Sequence, residues 1–356
     1  MNVFENKQYQ EDLALISAIE LPWEKLYNRS ILISGASGLI GSFLVDVIMY
    51  KNQKEGLNCT INALGRDERK VRERFAYCYN TDPFNFYACD INEPIFNKKL
   101  GGIDYVLHLA SNTHPFQYST DPIGTITTNI IGIKNLLDFA VDCKAKRMVF
   151  ASSNEIYGEN RGDVEVFEED YCGYIDCNTM RAGYPESKRC GEALCQAYLH
   201  QKGLDIVIPR FTRSYGPTML MSDTKAISQF FKKAIAGEDI TLKSAGNQYY
   251  SYTYVADAVS GLLTVLLKGK TGNAYNIADE TSDIRLKDLS ALIAKTVGKS
   301  VIFKEPDDIE KAGYSVATKA RLSGAKVREI GWLPRYDIES GIKRTVQILK
   351  EIQKSV

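Results

Sequence analysis

The stretch Ile31-Leu32-Ile33-Ser34-Gly35-Ala36-Ser37-Gly38-Leu39-Ile40-Gly41 (residues 31–41) joins a short apolar run to a helical pattern. Its three glycines stand three residues apart, at Gly35, Gly38 and Gly41. Glycines at this spacing between a strand and a helix let the backbone approach a pyrophosphate at the helix N-terminus. The spacing alone is weak, because a tight turn or close helix packing also selects glycine. At the first strand-turn-helix of the chain it predicts a dinucleotide site, to which Ser37, Leu39 and Ile40 also contribute.

Short apolar runs alternate with helical stretches around this loop. The predicted strands are Arg29–Ser34, Cys59–Leu64, Phe86–Cys89, Tyr105–Leu109, Arg147–Ala151 and Asp205–Pro209. The helices between them are Leu39–Lys51, Asp67–Tyr77, Ile123–Asp142 and one from Tyr184 to about His200. Such alternation predicts parallel strands joined by crossover helices. The fold class is therefore α/β, with a Rossmann-like doubly wound parallel sheet.

The rest of the chain is less regular and predicts a smaller, mostly helical C-terminal part that binds the substrate. Helical patterns occur at 9–20 and near 224–236, 256–268, 286–297 and 339–353. We expect a helical extension at 1–27, a dinucleotide-binding domain at 28–212 plus about 250–278, and a substrate-binding domain at 213–249 and 279–356.

Composition points to a small-molecule partner. The 356 residues include 44 Lys plus Arg and 44 Asp plus Glu, without a long block of one charge. We therefore predict no nucleic-acid and no membrane partner. The eight cysteines lack C-x-x-C spacing, which favours reduced thiols and no metal. Residues 1–20 lack the pattern of a signal peptide, so we predict a cytoplasmic protein.

The residues after the second and third strands bear on the choice of cofactor. Gly65-Arg66-Asp67 follows the second strand, where an acid would hold the ribose of NAD and an arginine the 2′-phosphate of NADP. Arg66 favours NADP, but Asp67 adjoins it, so these residues predict NAD(P)+ and leave the choice between NAD and NADP open. Asp90, next to Ile91, would accept from the adenine amino group, or else cap a turn.

Tyr184 and Lys188 stand four residues apart, hence on one helix face. A nearby ammonium lowers the pKa of a phenol, so this tyrosine would act as a base near neutrality. Ser153, at the end of a strand, would donate a hydrogen bond to the oxygen being oxidised. On most helices such a pair is a solvated surface feature, but together with the glycine loop it predicts hydride transfer between a carbinol and nicotinamide.

The chain from 30 to 350 resembles the extended short-chain dehydrogenase/reductase family of nucleotide-sugar enzymes. The markers are Gly35-x-x-Gly38-x-x-Gly41, Asp90-Ile91, His108-Leu109-Ala110-Ser111, Asn129, Ser153 with Tyr157-Gly158, Tyr184 with Lys188, Tyr215-Gly216-Pro217, Tyr254-Val255-x-Asp257 and Gly331-Trp332-x-Pro334. The resemblance implies a catalytic Ser153, Tyr184 and Lys188, further cofactor contacts from Leu109, Ala110 and Ser111, and a homodimer formed through the helices near 123–142 and 184–200.

Within the family the chain looks most like the UDP-glucuronate decarboxylases. The likeness is carried by HLASNTHPFQYSTDPIGTITTNIIG, RAGYPESKRCGEALC and YGPTMLMSDTKAISQF. It implies that Glu155 is the glutamate that decarboxylases and some 4,6-dehydratases need. It also implies that the nucleotide-diphosphate sugar contacts Asn112, Arg181, Arg213, Lys225 and Tyr250.

Three positions depart from the family pattern. Relatives usually have asparagine at the position of Arg213, and arginine at the positions of Thr218 and Tyr250. Loss of the arginine at 250 weakens the case for a glucuronate substrate. Arg213 would compensate for a lost cation, and Lys225 keeps a cation at another diphosphate-contacting position.

We predict a nucleotide-sugar enzyme that works by transient oxidation of C4 with bound NAD(P)+. Glu155 favours a decarboxylase-like or 4,6-dehydratase-type lyase, because plain 4-epimerases of the family tend to have small, non-acidic residues in this segment. An epimerase and a 4-ketoreductase that consumes NADPH are the alternatives. A non-catalytic dinucleotide-binding protein is the alternative from another class.

Overall fold

The computed structural model describes residues 2–79, 81–95, 100–113, 115–306 and 318–354. Its strands are β1 Ser30–Ser34, β2 Thr60–Gly65, β3 Phe84–Ala88, β4 Tyr105–His108, β5 Arg147–Phe150, β6 Ser152–Ser153, β7 Ile206–Phe211, β8 Arg213–Tyr215, β9 Ile240–Leu242, β10 Tyr249–Tyr254, β11 Ala274–Ile277, β12 Asp283–Arg285, β13 Val301–Phe303 and β14 Lys319–Ala320. Its helices are α1 Lys7–Ser17, α2 Leu39–Glu55, α3 Glu68–Arg74, α4 Pro115–Thr120, α5 Pro122–Asp142, α6 Gly183–Lys202, α7 Ala226–Ile235, α8 Val255–Lys268, α9 Leu286–Thr296, α10 Ala325–Glu329 and α11 Ile338–Lys354.

The central sheet has the strand order β11-β7-β5-β4-β1-β2-β3, and β6 pairs with β7. The pairings within it are all parallel. Side chains of β1 alternate between two cores: Ile31 and Ile33 pack with Phe43 of α2, whereas Leu32 packs with Leu136 of α5. Helices therefore cover both faces, and the predicted doubly wound α/β fold is confirmed.

The carboxyl ends of neighbouring strands meet at one edge of this sheet. The glycine loop follows β1, Leu109 follows β4, Ser153 ends β6 and Arg213 lies two residues past the end of β7. From β1 the chain continues to β2 and β3 on one side, and from β3 it crosses to β4 on the other side of β1. A crevice opens beside β1 at this change of direction. The topology alone therefore brings these four segments to one place.

The C-terminal part combines helices α7, α9, α10 and α11 with short strands, as its sequence pattern predicted. β10 pairs with β8, β12 and β14, and β9 pairs with β13. The β8–β10 pairing places Tyr252 opposite Arg213, so β10 forms a second wall over the carboxyl edge of the large sheet. No helix in the described ranges is long and apolar enough to cross a membrane.

Helix α1 packs on the body of the protein through apolar side chains and one buried acid. Asp12 is fully buried, and it accepts hydrogen bonds from the hydroxyls of Tyr254 (2.6 Å) and Tyr336 (2.5 Å). Nε of Arg344 lies 2.7 Å from the same carboxylate. The neighbouring Glu11 also faces Arg344, at 3.3 Å, but its side chain is 53% exposed. Asp12 thus ties α1 to β10 and α11.

We expect Asp12→Ala to lower the free energy of unfolding by about 2–4 kcal/mol, because it leaves two buried hydroxyls and a cation without their acceptor. Glu11→Ala is the matched control and should cost less than about 1 kcal/mol, because an exposed ion pair contributes little. Urea unfolding followed by circular dichroism measures both. Equal losses in the two variants would contradict the anchoring role of Asp12.

Candidate active site

A cavity of about 850 Å³ lies between the carboxyl edge of the large sheet and the wall made by α7, β9 and β10. The predicted site residues that line it are Gly35, Gly38, Leu39, Ile40, Gly41, Leu109, Ser111, Ser153, Glu155, Arg181, Tyr184, Lys188, Arg213, Lys225 and Tyr250. Ser37, Arg66, Asp90, Ile91, Ala110 and Asn112 were also predicted as site residues but are not among its lining residues.

The glycine loop brings the N-terminus of α2 to the cavity. Gly35 has a φ of +76°, and a Cβ there would lie 2.6 Å from the backbone nitrogen of Ala110. Gly38 is the N-cap of α2 and supplies no side-chain hydrogen bond. The first turn of a helix has N–H groups without intrahelical acceptors, and they attract anions. The loop therefore fits the pyrophosphate of a dinucleotide.

The segment after β4 is fixed to β1 by a buried histidine. Nδ1 of His108 lies 2.8 Å from the hydroxyl of Ser34, and that hydroxyl also accepts from the N–H of Ala110 at 3.4 Å. Burial, and then the charge of Lys188, hold the pKa of His108 well below its usual value. A neutral imidazole thus aligns the Leu109–Ser111 backbone beside the glycine loop.

The residues predicted to choose between NAD and NADP lie at the far end of the sheet. Arg66 and Asp90 form an exposed ion pair at 4.0 Å. Asp90 also accepts from the N–H of Asn92 at 3.0 Å, which is the turn-capping role. Asp67 caps α3 by accepting from the N–H of Lys70 at 3.0 Å. Ile91 packs in the core. Each polar group here has a structural partner.

Tyr184 is buried in the cavity, beside Ser153 and Ser111, whose hydroxyls act to lower the pKa of its phenol. Burial first, and the negative charge of Glu155 second, raise the pKa of Tyr184 to about 12. The ammonium of Lys188 instead donates to the carbonyl of Ala151 at 2.9 Å, and it lies 6.0 Å from the centre of the Tyr184 ring. The expectation that Lys188 brings the pKa of Tyr184 near neutrality was therefore wrong for this state of the protein.

Burial also lowers the pKa of Lys188 itself, to about 8. Its ammonium lies over the ring of Phe150, 4.8 Å from the ring centre. Lys188 is thus held away from bulk water, beside Ala151, which precedes β6. Because it lines the cavity, its ammonium can also donate a hydrogen bond to a ligand there.

Glu155 lies in a short 3-10 helix, Asn154–Tyr157, directly after β6. Its carboxylate is paired with the guanidinium of Arg181, and the two side chains are 19% and 9% exposed. The turn is anchored by Tyr157, whose hydroxyl donates to Asn276 (2.6 Å) and accepts from Arg210 (2.8 Å). Arg181 was predicted to contact the substrate; in the structure its protein partner is the catalytic candidate Glu155.

Tyr118 is a residue of the site that sequence reasoning missed. Its ring stacks on Tyr184 with 5.0 Å between centres, and the guanidinium carbon of Arg181 lies 4.5 Å from its ring centre. Tyr118 therefore links the phenol of Tyr184 to the Glu155–Arg181 pair. The signal was present in the stretch HPFQYSTDP, which was used only for its overall likeness.

Cations gather where α7 and β9 meet the cavity. Nζ of Lys225 lies 3.1 Å from the hydroxyl of Thr113 and 3.3 Å from Asp223. Lys233, Lys243 and Lys304 line the same cavity. This wall suits the diphosphate of a nucleotide.

The three departures from the family pattern take part in two contacts. Arg213 stacks on Tyr250, with its guanidinium carbon 3.4 Å from the ring centre. Thr218 donates to the carbonyl of Leu39 at 2.8 Å and so joins the C-terminal part to α2. Among the residues that the structure covers, no group of three or more His, Cys, Asp or Glu side chains could hold a metal ion.

Comparisons with known proteins agree with this architecture. UDP-glucuronic acid decarboxylase 6 of Arabidopsis thaliana is 31% identical over 317 residues, 88% of this chain and 87% of that protein. UDP-glucuronic acid decarboxylase 1 of Xenopus tropicalis is 29% identical over 328 residues, 91% of this chain and 73% of that protein.

Solved structures share the fold. A dTDP-glucose 4,6-dehydratase from Streptomyces venezuelae with NAD bound superposes with a TM-score of 0.77 and 23% identity, covering 92% of this chain and 98% of that one. A UDP-glucuronic acid 4-epimerase from Bacillus cereus, in complex with UDP-glucuronic acid and NAD, has a TM-score of 0.77 and 21% identity over 91% and 99% of the chains.

Residues 31–278, which run from β1 through β11, match the family model described as "NAD dependent epimerase/dehydratase family". The match spans the glycine loop and the Ser153, Glu155, Tyr184 and Lys188 cluster. The chain therefore belongs to the NAD dependent epimerase/dehydratase family.

Proposed function

We propose that this protein is a nucleotide-sugar lyase that oxidises C4 of its substrate, breaks a bond at C5 and then reduces C4 again. UDP-glucuronate is the first candidate substrate and decarboxylation the first candidate reaction, since the two relatives described above are named UDP-glucuronic acid decarboxylases. The observation that carries the proposal is one cavity lined by the glycine loop, Ser153, Tyr184, Lys188 and Glu155.

NAD is the proposed cofactor, and when bound it would accept a hydride from C4 and later return it. The glycine loop and the start of α2 would hold its pyrophosphate. Arg66 already faces the carboxylate of Asp90, which would oppose the 2′-phosphate of NADP; this supports NAD over NADP. Lys188, whose ammonium is within the cavity, would hydrogen-bond to the nicotinamide ribose.

In the oxidation step Tyr184 takes the proton from the 4-hydroxyl of the sugar. Ser153 donates a hydrogen bond to the same oxygen, because its hydroxyl lines the cavity beside Tyr184. Lys188 stabilises the phenolate when its ammonium turns from the Ala151 carbonyl. A positioned acid or base of this kind contributes roughly two to four orders of magnitude in rate.

Oxidation at C4 gives a 4-ketone, and a carboxylate at C6 is β to that ketone. The oxidised sugar is therefore a β-keto acid. The C5–C6 bond breaks, carbon dioxide leaves and the electron pair forms an enolate on O4. A proton then adds to C5, the hydride returns to C4 and Tyr184 returns its proton to O4. Of the two carboxylates that line the cavity, Asp223 pairs with Lys225 at the diphosphate wall, so we assign the proton at C5 to Glu155.

The protein is further proposed to form a homodimer in the cytoplasm. Helices α5 and α6 lie against each other, and α5 exposes Ile123 and Ile131 on its outer side. An apolar surface of this kind supports pairing with a second copy. The eight cysteines are free thiols, as is usual in a reducing compartment.

The first test is incubation of the purified protein with UDP-, dTDP-, GDP- and CDP-sugars, followed by mass spectrometry. Decarboxylation of UDP-glucuronate is expected, as the loss of one carbon dioxide. Loss of water would instead identify a 4,6-dehydratase, and an unchanged mass with a new retention time an epimerase. Absence of turnover with every sugar would contradict the lyase.

We expect Glu155→Gln to stall the reaction after oxidation, because the 4-ketone forms but glutamine cannot deliver the proton that adds to C5. Overall turnover should fall by roughly two to four orders of magnitude, while absorbance at 340 nm rises as reduced cofactor accumulates. Glu159→Gln is the control, since Glu159 lies just past the same turn but outside the cavity lining. Undiminished turnover in Glu155→Gln would remove the assigned role.

Glu155→Gln should also shift the pH dependence of the oxidation step. The charge of Glu155 helps to raise the pKa of Tyr184, so a neutral glutamine lets the phenolate form at lower pH. The rising limb of the rate of cofactor reduction, measured by stopped flow, should therefore move to lower pH. If Glu155 were the base for the 4-hydroxyl, the variant would instead lose the oxidation step altogether.

A further inference from the structure

Arg213 is a cation in the cavity that is paired with no carboxylate among the residues that the structure describes. The cavity lining contains two arginines, Arg181 and Arg213. Arg181 is paired with Glu155, whereas no ion pair joins Arg213 to a carboxylate in the described part of the chain. Nη1 of Arg213 is buried and has no hydrogen-bond partner among those residues. A buried charged donor without an acceptor is costly, so the site is built for a ligand that supplies one.

The stacking on Tyr250 leaves the donors of Arg213 available. The guanidinium carbon lies 3.4 Å from the ring centre, so the face of the guanidinium is covered by the phenol ring. Its N–H groups lie in the guanidinium plane and point away from that contact. Such a fork matches a planar carboxylate with two parallel hydrogen bonds. Tyr250 thus acts as a platform that fixes the direction of the fork.

Strand register places Arg213 beside the reacting end of the cavity. Ser153 of β6 is opposite Phe211 of β7, and Arg213 follows two residues later. Two residues of strand span roughly 6–7 Å, which is the scale of one sugar ring. Lys225, in contrast, contacts Thr113 at the wall formed by the start of α7. The lysine wall therefore serves the diphosphate, and Arg213 serves the sugar that Ser153 contacts.

The local charges allow a second carboxylate in this region. The charge of Glu155 is neutralised by Arg181, so a ligand carboxylate near Arg213 does not face an unpaired acid. A neutral sugar offers hydroxyl acceptors but no negative charge to pair with the guanidinium. A mono-anionic sugar would supply a carboxylate to the lining arginine that has no carboxylate partner among the described residues.

We propose that Arg213, held flat on Tyr250, binds a carboxylate at C6 of the substrate sugar. Arg213 is thereby the residue that selects a nucleotide uronate over a neutral nucleotide hexose. The inference rests on the proposed function for the nucleotide-sugar class of the ligand.

The test measures binding of UDP-glucuronate and UDP-glucose to the full-length, NAD-loaded protein by calorimetry, in a Tyr184→Phe background that prevents turnover. The parent should bind UDP-glucuronate about 10- to 100-fold more tightly than UDP-glucose. Arg213→Gln should abolish this preference and leave the affinity for UDP-glucose within about twofold. Arg285→Gln is the matched control, because Arg285 stacks on the adjacent Tyr249 but lies outside the cavity lining.

Equal weakening of both sugars by Arg213→Gln would place Arg213 at the diphosphate and overturn the inference, as would an unchanged preference. If the glutamine variant does not fold, Arg213→Lys decides: it keeps the charge and loses the fork, so the preference must fall several-fold. A parent without preference overturns the inference alone, since C4 oxidation is tested separately by product mass. If neither UDP-sugar binds, the inference and the proposed UDP-sugar substrate fail together.

Discussion

Parallel alignment of the central strands is the constraint on which the rest of this structure depends. Because β1, β4, β6 and β7 run in one direction, their carboxyl ends fall at one edge and the loops that follow them share one cavity. Residues more than 100 positions apart in the chain therefore line one cavity. The C-terminal part needs only to close this edge, which it does with α7, β9 and β10.

Within the cavity, the charges around Tyr184 and Glu155 suit them to different steps of the proposed reaction. The negative charge of Glu155 raises the pKa of Tyr184. The phenolate is therefore a stronger base once it forms, but it forms less readily when no ligand is bound. The positively charged nicotinamide ring of a bound NAD(P)+ would favour the same phenolate, so binding of the hydride acceptor would also favour formation of the base. Arg181 keeps Glu155 in place beside Tyr118 and Tyr184. Oxidation and the step at C5 can thus be served by adjacent groups.

The sequence predicted the sheet well because hydrophobic period and chain alternation are local signals. It also predicted many of the residues that line the cavity, since motif positions follow strand ends, but it missed Tyr118, and predicted residues such as Arg66 and Asp90 lie outside the lining. It could not predict that Arg181 pairs with Glu155, nor that Asp12 binds β10 and α11, because those contacts join segments far apart in the chain. The prediction of a lowered pKa for Tyr184 was wrong for the same reason. The spacing between Tyr184 and Lys188 is visible in the sequence, but the burial of Tyr184 and the Lys188–Ala151 hydrogen bond are not.

The most direct test of transient C4 oxidation followed by bond breaking at C5 is the reaction of UDP-glucuronate in deuterium oxide, with the product analysed by NMR. The hydrogen at C4 should be retained, because the same hydride leaves and returns within the closed site. C5 should carry one deuterium, because its new proton comes from an exchangeable group such as Glu155. A product with deuterium at C4, or without deuterium at C5, would contradict this account.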